Sequence, residues 1–528
     1  MRRFPLSILV ALIFVLPTVC SATEIYITQN ISGGNTGADC ANAHSASWFN
    51  SNATGGNTYH LCGTFNGAAG STMLIVPNGS AGNTLTVLFE PGAVLTAPYW
   101  GGQSAGAINI PAHSFIKIDG GTNGIIKNTL NGTPGNTCPG GTCPSPTHAS
   151  QGIYIQAGST NIEIANLTIQ DIYDQQPNQS TGDPNATSAA DILVSSGGGS
   201  NISIHDCTLK AAYRGIGIDW DGGTASNINI YNNSISDHAF GVQIGSWVAS
   251  GSSSNVNIHG NTITNWSNWN STADDYYHTD GIIVWGHQGF PTVVNIYNNH
   301  IFGSFNGTGE IYCTYDGLSG TGSASLCTIF NNVFQNSLTS CSSFSGCGPG
   351  RSIWTGANTG PHTIVNNTFI GSGSGVTSSL ISIDGSIATL ENNIFYNSGQ
   401  AVGSYSTTFP LSNLTASNYN LYNTVSGSPF IWNTGSAGKF ISYAQWQAGG
   451  YDANGVTGSP NLSGTYTLQS GSAAIGAGKN LTSLGIAALN SDAAGVARPS
   501  TAAWDIGAFQ FSQTINIAPP TGLSAIVQ

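Results

Sequence analysis

One motif recurs along this chain and decides what it can fold into. An alternating apolar run leads into Asn, commonly into a second Asn, and another alternating run follows. It reads Asn161-Ile-Glu-Ile-Ala-Asn-Leu-Thr-Ile, Asn227-Ile-Asn-Ile-Tyr-Asn-Asn-Ser-Ile, Asn295-Ile-Tyr-Asn-Asn-His-Ile, Thr363-Ile-Val-Asn-Asn-Thr-Phe-Ile and Thr389-Leu-Glu-Asn-Asn-Ile-Phe. The turn position falls at Asn166, Asp206, Asn232, Gly260, Asn298, Asn331, Asn366, Asn392 and Asn418. Asp206 to Asn232, Asn366 to Asn392 and Asn392 to Asn418 are each 26 residues, and the other intervals are longer. A fixed coil carrying loops of different length explains that floor. A second strand type lies between the turns, as Gly152-Ile-Tyr-Ile, Gly215-Ile-Gly-Ile, Gly241-Val-Gln-Ile, Gly281-Ile-Ile-Val and Leu380-Ile-Ser-Ile. Period two sends alternate side chains inward and outward. Asn tolerates the left-handed backbone of a tight corner, and its amide can stack on the Asn of the next coil. Short strands, Asn corners and no helical period predict an all-β, right-handed parallel β-helix.

Composition narrows the function. Charged residues are 6% of 528, against about 25% in an ordinary globular chain. Lys+Arg number 10 and Asp+Glu 23. That excludes a nucleic-acid binder, which needs cations to neutralise phosphates, and a coiled coil, which needs Glu, Lys and Arg. Hydrophobic residues at 40% still allow a large core. Arg2 and Arg3, the apolar run Leu6 to Leu16, and Cys20-Ser-Ala22 follow the order of a secretory signal peptide, with cleavage expected after Ala22. Its removal takes two of the ten cations, so the mature charge is 8 minus 23, or −15. No later stretch is apolar enough to cross a bilayer. The expected location is secreted or cell-surface, and the expected state a monomer. Export makes disulfides reasonable. Four close pairs suggest themselves: Cys40 with Cys62, Cys138 with Cys143, Cys313 with Cys327, and Cys341 with Cys347. Cys207 is left over and reads as a buried small hydrophobe.

On the Asn-cornered coils the chain resembles the secreted right-handed parallel β-helix proteins of the broad pectate-lyase-like group, over roughly residues 24 to 512. Glu24-Ile-Tyr-Ile-Thr, Cys40 and Trp48-Phe-Asn look like the N-terminal cap of such bacterial proteins. Tyr466-Thr-Leu-Gln-Ser-Gly-Ser-Ala-Ala-Ile-Gly-Ala-Gly and Arg498-Pro through Asp505-Ile-Gly-Ala-Phe look like their closing segment. The expected organisation is a signal peptide over 1–22, cap and first strands over 23–84, coils over 85–425, a closing segment over 426–512, and a linker over 513–528. The resemblance implies architecture and not activity, because the group holds lyases, hydrolases, epimerases and proteins without known chemistry.

Coils stack about 4.8 Å apart, so aligned positions form columns. The outward column of the second strand type is expected to be Tyr154, Leu193, Gly217, Gln243, Ile283, Tyr312, Trp354 and Ser382. Its mix of aromatic and polar groups suits an extended sugar chain. Tyr and Trp are equally good strand residues. The densest cluster includes Trp266, Trp269, Asp274, Asp275, Tyr276, Tyr277, His278, Asp280, Trp285 and His287, on the 38-residue interval from Gly260 to Asn298. His278-Thr-Asp280-Gly is similar to the Asn-Thr-Asp-Gly signature of polygalacturonases, whose Asp is the catalytic acid. The paired Asp, the Gly-His-Gly and the Arg-X-Lys of that family are missing. Glu310, one coil on and one residue across from Asp280, could complete a glycosidase carboxylate pair. Arg351 could bind a uronate carboxylate, and Arg214 lies two coils before Asp280. A lyase would need a base, for which Arg214, Arg351, His238, His278 and Tyr277 are candidates. Asp219, Asp221 and Asp237 could hold Ca²⁺, although Asp-Gly pairs commonly form turns.

Two functions follow. The first is an exported protein that binds or cleaves an acidic or plant-type polysaccharide along one coil face, as a hydrolase or lyase centred on Asp280. Its expected substrate contacts are Tyr312, Trp354, Trp285, Gln243, Arg214 and Tyr277. The second is a non-catalytic surface or matrix scaffold. An enzyme should show Asp280 beside a second carboxylate, or beside Arg and a metal, in an open groove.

Overall fold

A computed structural model describes residues 22–130, 149–172, 189–265, 279–303, 309–315, 322–336, 351–373, 379–404, 406, 408–432 and 439–512. The expected signal peptide, the pairs Cys138–Cys143 and Cys341–Cys347, and the expected site residues Tyr277 and His278 lie outside the described residues.

The chain winds as a parallel β-helix. In one coil, Ser159–Ala165 turns at Asn166 into Thr168–Gln170, Ala190–Val194 follows, and Gly198–His205 begins the next coil on top of Ser159–Ala165. Repetition produces three stacks of parallel strands. Stack one runs from Glu24–Thr28 through Thr58–Leu61, Leu85–Phe89, Ser114–Asp119 and Ser159–Ala165 onward to Ser417–Asn418. Stacked strands therefore begin at Glu24, within the segment expected to hold the cap and first strands. The early coils carry no Asn-Asn corner, so the motif misses them. Stack three, which bears the candidate face, includes Gln151–Ile155, Ala190–Val194, Asp280–Val284, Gly309–Cys313, Ile353–Thr355 and Ser379–Ile383.

The interior is an aliphatic column repeated coil on coil. Ile153, Ile192, Ile216, Val242, Ile282, Ile311, Ile353, Ile381 and Val402 are in register and essentially inaccessible. Burying each such side chain is worth about 1.5–3 kcal/mol. Phe334, Phe369, Phe395 and Tyr422 stack nearly parallel in the same interior.

The two Asn of the corner divide the work. The first takes the left-handed backbone: Asn166, Asn232, Asn298, Asn331, Asn366 and Asn392 have φ between 52 and 59°. At Asn418 the left-handed residue is instead Tyr419, one position later. The second Asn points inward and forms a ladder. Asn233, Asn261, Asn299, Asn332, Asn367, Asn393 and Asn420 each donate from Nδ2 to the next member at 2.9–3.1 Å, the last to Asp452. Buried Cys207 heads the ladder, its N–H donating to Asn233. Its place as a small apolar residue agrees with the sequence. Asp452 ends the ladder and also accepts from Ser417, Tyr422 and Trp446.

Both ends of the coil stack are covered. The helix Ala46–Asn52, capped by Ser45, lays Phe49 edge-on against Tyr59, and Cys40–Cys62 pins it. At the other end the helix Tyr443–Ala448 stacks Trp446 on Phe430 at 4.2 Å. Residues 459–512 do not continue that cap. They run back along the outside of the Asn corner, where Asn331, Asn366 and Asn392 donate to Ser491, Asp505 and Lys479 carbonyls. Buried Arg498 donates to Asn331 Oδ1, and Lys479 pairs with Glu391.

Candidate glycan face

The outer face of stack three holds the candidate site. Its central column has the register expected from the sequence: Tyr154, Leu193, Gly217, Gln243, Ile283, Tyr312, Trp354 and Ser382. Beside it runs a second outward column with Ala190, Arg214, Phe240, Asp280 and Gly309 in register. Arg351 continues that column, its carbonyl accepting from the Glu310 N–H. An apolar patch of Tyr213, Phe240, Ile283, Trp285 and Tyr312, separate from the interior core, underlies the face.

Two clefts open on it. The larger, about 700 Å³, is lined by Tyr312, Tyr315, Trp354, Asp384, Ser406 and Asn413. Tyr312 and Trp354 stack with ring centres 4.5 Å apart and planes within 19°. The Arg351 guanidinium lies 4.2 Å over the Trp354 ring, a cation–π contact. Trp354 Nε1–H donates to Asp384 Oδ2 at 2.7 Å, which fixes the indole plane. Burial pushes the Tyr312 phenol up to about 12, and the carboxylates of Asp280 and Asp384 add to the shift. A phenol held that high does not serve as a base near neutral pH. The smaller cleft, about 460 Å³, is lined by Gln103, Tyr154, Leu193, Ser195, Arg214 and Asp219. Arg214 donates to Asp219 at 3.2 Å, and burial raises the Asp219 carboxyl against the downward pull of Arg214. Between the clefts lie buried Gln243 and Trp285, with Trp247 52% exposed and its ring 5.1 Å from Trp285.

The expected carboxylate pair does not form. Asp280 and Glu310 are both inaccessible, but they lie on opposite sides of the sheet. Asp280 shares the outward column of Arg214. Glu310 falls in the column of Gly215, Gly241, Gly281 and Leu380, which points inward. A Cβ at Gly215 would meet Ile235 of the core at 2.9 Å and the Gly241 carbonyl at 2.6 Å, and one at Gly241 would meet Ile263 at 2.9 Å. That crowding is why these strands begin with Gly, and it shows the direction of the column. Burial pushes the Glu310 carboxyl well above the ordinary range, against a smaller opposing pull from Ser352. Among the described residues neither Glu310 oxygen meets a partner at hydrogen-bonding geometry. Asp191 occupies the same inward column and bonds His238 Nε2 at 2.7 Å. Burial holds that histidine down to about 3 and raises Asp191, in both cases disfavouring the charged form. His238, a candidate base in the sequence, is inside the coil.

The expected calcium ligands do not converge either. Asp219 pairs with Arg214, Asp221 accepts from Ser196 and the Trp247 N–H, and Asp237 is a left-handed corner residue 3.9 Å from Lys210. Among the described residues the one group of three close ligand types is Cys313, Cys327 and His362. There the cysteines form a disulfide, and His362 Nδ1 accepts from the Cys327 N–H.

Sequence reasoning missed three residues on the face. Asp384 lies two positions beyond Ser382, so the period-two rule could have found it. Tyr315 and Trp247 sit in turns after their strands, where no periodicity reaches.

No protein-family model matches this chain, and no curated protein matches it. Its fold is similar to solved structures. Pectate lyase Pel9A is 16% identical, with a TM-score of 0.45 over 94% of this chain and 98% of that one. The surface adhesin PfbA of Streptococcus pneumoniae is 12% identical, with a TM-score of 0.47 over 75% and 88%. Alginate lyase from Paenibacillus sp. str. FPU-7 is 13% identical, with a TM-score of 0.37 over 75% and 99%. The class defined by the strand pairing is the parallel β-helix.

Proposed function

We propose that this protein is an exported polysaccharide-binding β-helix that holds an extended glycan along the outer face of stack three. The observation that carries the reading is the cleft of about 700 Å³ bordered by the Tyr312–Trp354 stack and the Asp384 carboxylate. Aromatic rings pack on the apolar faces of pyranoses, and the carboxylate accepts from sugar hydroxyls. Coil spacing of about 4.8 Å repeats such contacts along the solenoid, which suits a polymer. Export is supported by the signal-like N-terminus and by Cys40–Cys62 and Cys313–Cys327. No helix among the described residues is long and apolar enough to cross a membrane.

Binding is preferred to cleavage. Asp280 is inaccessible, and Glu310, one coil on beside its register partner Gly309, faces the core. The test is affinity electrophoresis in gels carrying single polysaccharides. Wild type should be retarded by at least one polymer, and Trp354→Ala should lose most of that retardation. Retardation by no polymer, or retardation unchanged in Trp354→Ala, refutes the reading and favours a scaffold.

A further inference from the structure

Resting on that reading, we infer that the glycan held on this face is a neutral polysaccharide, not the acidic one that the sequence suggested. The argument is the placement of charge. The chain has ten Lys and Arg, and two precede residue 4. Of the remaining eight, Lys117 belongs to stack one, and Lys127 and Lys210 are in register with Gln170 in the stack of Thr168–Gln170. Lys439, Lys479 and Arg498 belong to the C-terminal region, where Lys439 packs over Trp432 and Lys479 pairs with Glu391. Only Arg214 and Arg351 stand on the candidate face. Arg214 is committed to Asp219 at 3.2 Å, and the Arg351 guanidinium sits 4.2 Å over the Trp354 ring.

Against these two cations the described face sets Asp219, Asp280 and Asp384, with Asp221 at its margin. A polyuronate brings one negative charge per sugar, and each would meet a surface of its own sign. A neutral glycan meets only the favourable part: stacked rings for its apolar faces, and carboxylates and amides for its hydroxyls. A charge-assisted hydrogen bond from a sugar hydroxyl to Asp384 is stronger than one between neutral groups. The same aspartate orients the Trp354 indole, so ring and acceptor are set at one geometry.

The experiment uses the full chain in native gels containing galactomannan, xyloglucan, arabinoxylan, polygalacturonate or alginate, each with EDTA and again with added Ca²⁺. Trp354→Ala and the milder Trp354→Phe are run beside wild type, with thermal melting to show that both variants fold. The expected result is retardation by at least one neutral polymer, weakened at least tenfold by Trp354→Ala and less by Trp354→Phe. Retardation by polygalacturonate or alginate should be absent with and without Ca²⁺. Trp354-dependent retardation by a polyanion overturns the neutral class and leaves the glycan face standing. If it needs Ca²⁺, a cation bridges the like charges. Retardation by none of the polymers, or retardation indifferent to Trp354, removes the face itself.

Discussion

Glu310→Gln tests the inside-or-outside assignment on which the choice between binding and cleavage depends. The carboxyl is inaccessible, it shares a column with Leu380, and burial raises its titration well above the ordinary carboxylate range. The sign follows from linkage. In the unfolded chain Glu310 loses its proton near 4.5, while in the folded chain it keeps it to higher pH. The folded state therefore binds the extra proton, and its stability falls as pH rises from about 4.5 towards the raised native value. The loss is about 1.4 kcal/mol for each pH unit in that window. Gln fills nearly the same volume and cannot ionise, so the variant escapes the loss. Unfolding free energies for both proteins come from urea titrations at pH 5, 6 and 7. The variant should gain on wild type by more than about 1 kcal/mol per pH unit over the first part of that range. Glycan retardation should not change. A stability difference that is flat in pH, or that moves against Gln as pH rises, would mean that Glu310 is ionised and partnered, and the inward assignment would be wrong.

Other outcomes follow from the same geometry. Asn332→Ala deletes a buried amide that donates to Ile296 O, Phe330 O and Asn367 Oδ1 and accepts twice from Asn299. It should cost about 3 kcal/mol, since each buried group left unpaired costs about 1–3 kcal/mol and the site relaxes in part. Asn257→Ala, in the half-exposed amide row on stack one, should cost under ~1 kcal/mol in the same denaturation assay. Removing Cys313–Cys327, with a sequence separation of 14 residues, should destabilise by about 3 kcal/mol, read as a lowered Tm in the double Ser variant. Trp354→Ala should weaken glycan binding about tenfold, the equivalent of ~1.4 kcal/mol, measured by titration calorimetry with a melting curve as control.

Much of the fold is legible in the chain because a coil repeats its physics. Left-handed corners select Asn, Asp or Gly, and period two fixes which side of a strand a residue faces. Tyr154 and Ser382, 228 positions apart by their numbers, thus come into one column as read from the residues alone. The rule fails at the bend that begins each stack-three strand. Arg214 and Gly217 both face outward although their spacing is odd, because the chain turns a corner at Gly215. The same bend sends Asp280 out and Glu310 in, the reverse of what a flat strand with Ile282 and Ile311 inward would give. An early corner can also lack its marker residue while its coil is still legible, as in Phe115-Ile-Lys-Ile-Asp-Gly-Gly. Phe115 takes φ 58° where later coils use Asn161, Asn201 and Asn227, so the corner exists without its marker residue. Trp247 and Tyr315 lie in turns beyond their strands, where no period reaches.

Hydroxyl-radical footprinting of the full chain, with and without the polysaccharide that retards it most, tests the glycan face directly. Protection should centre on Trp354 and Tyr315, extend to Trp247, and leave Tyr231 and Tyr297 of the aromatic row on stack one unchanged. Protection of Tyr231 and Tyr297 with Trp354 untouched would put the ligand on the other side of the solenoid and contradict the assignment.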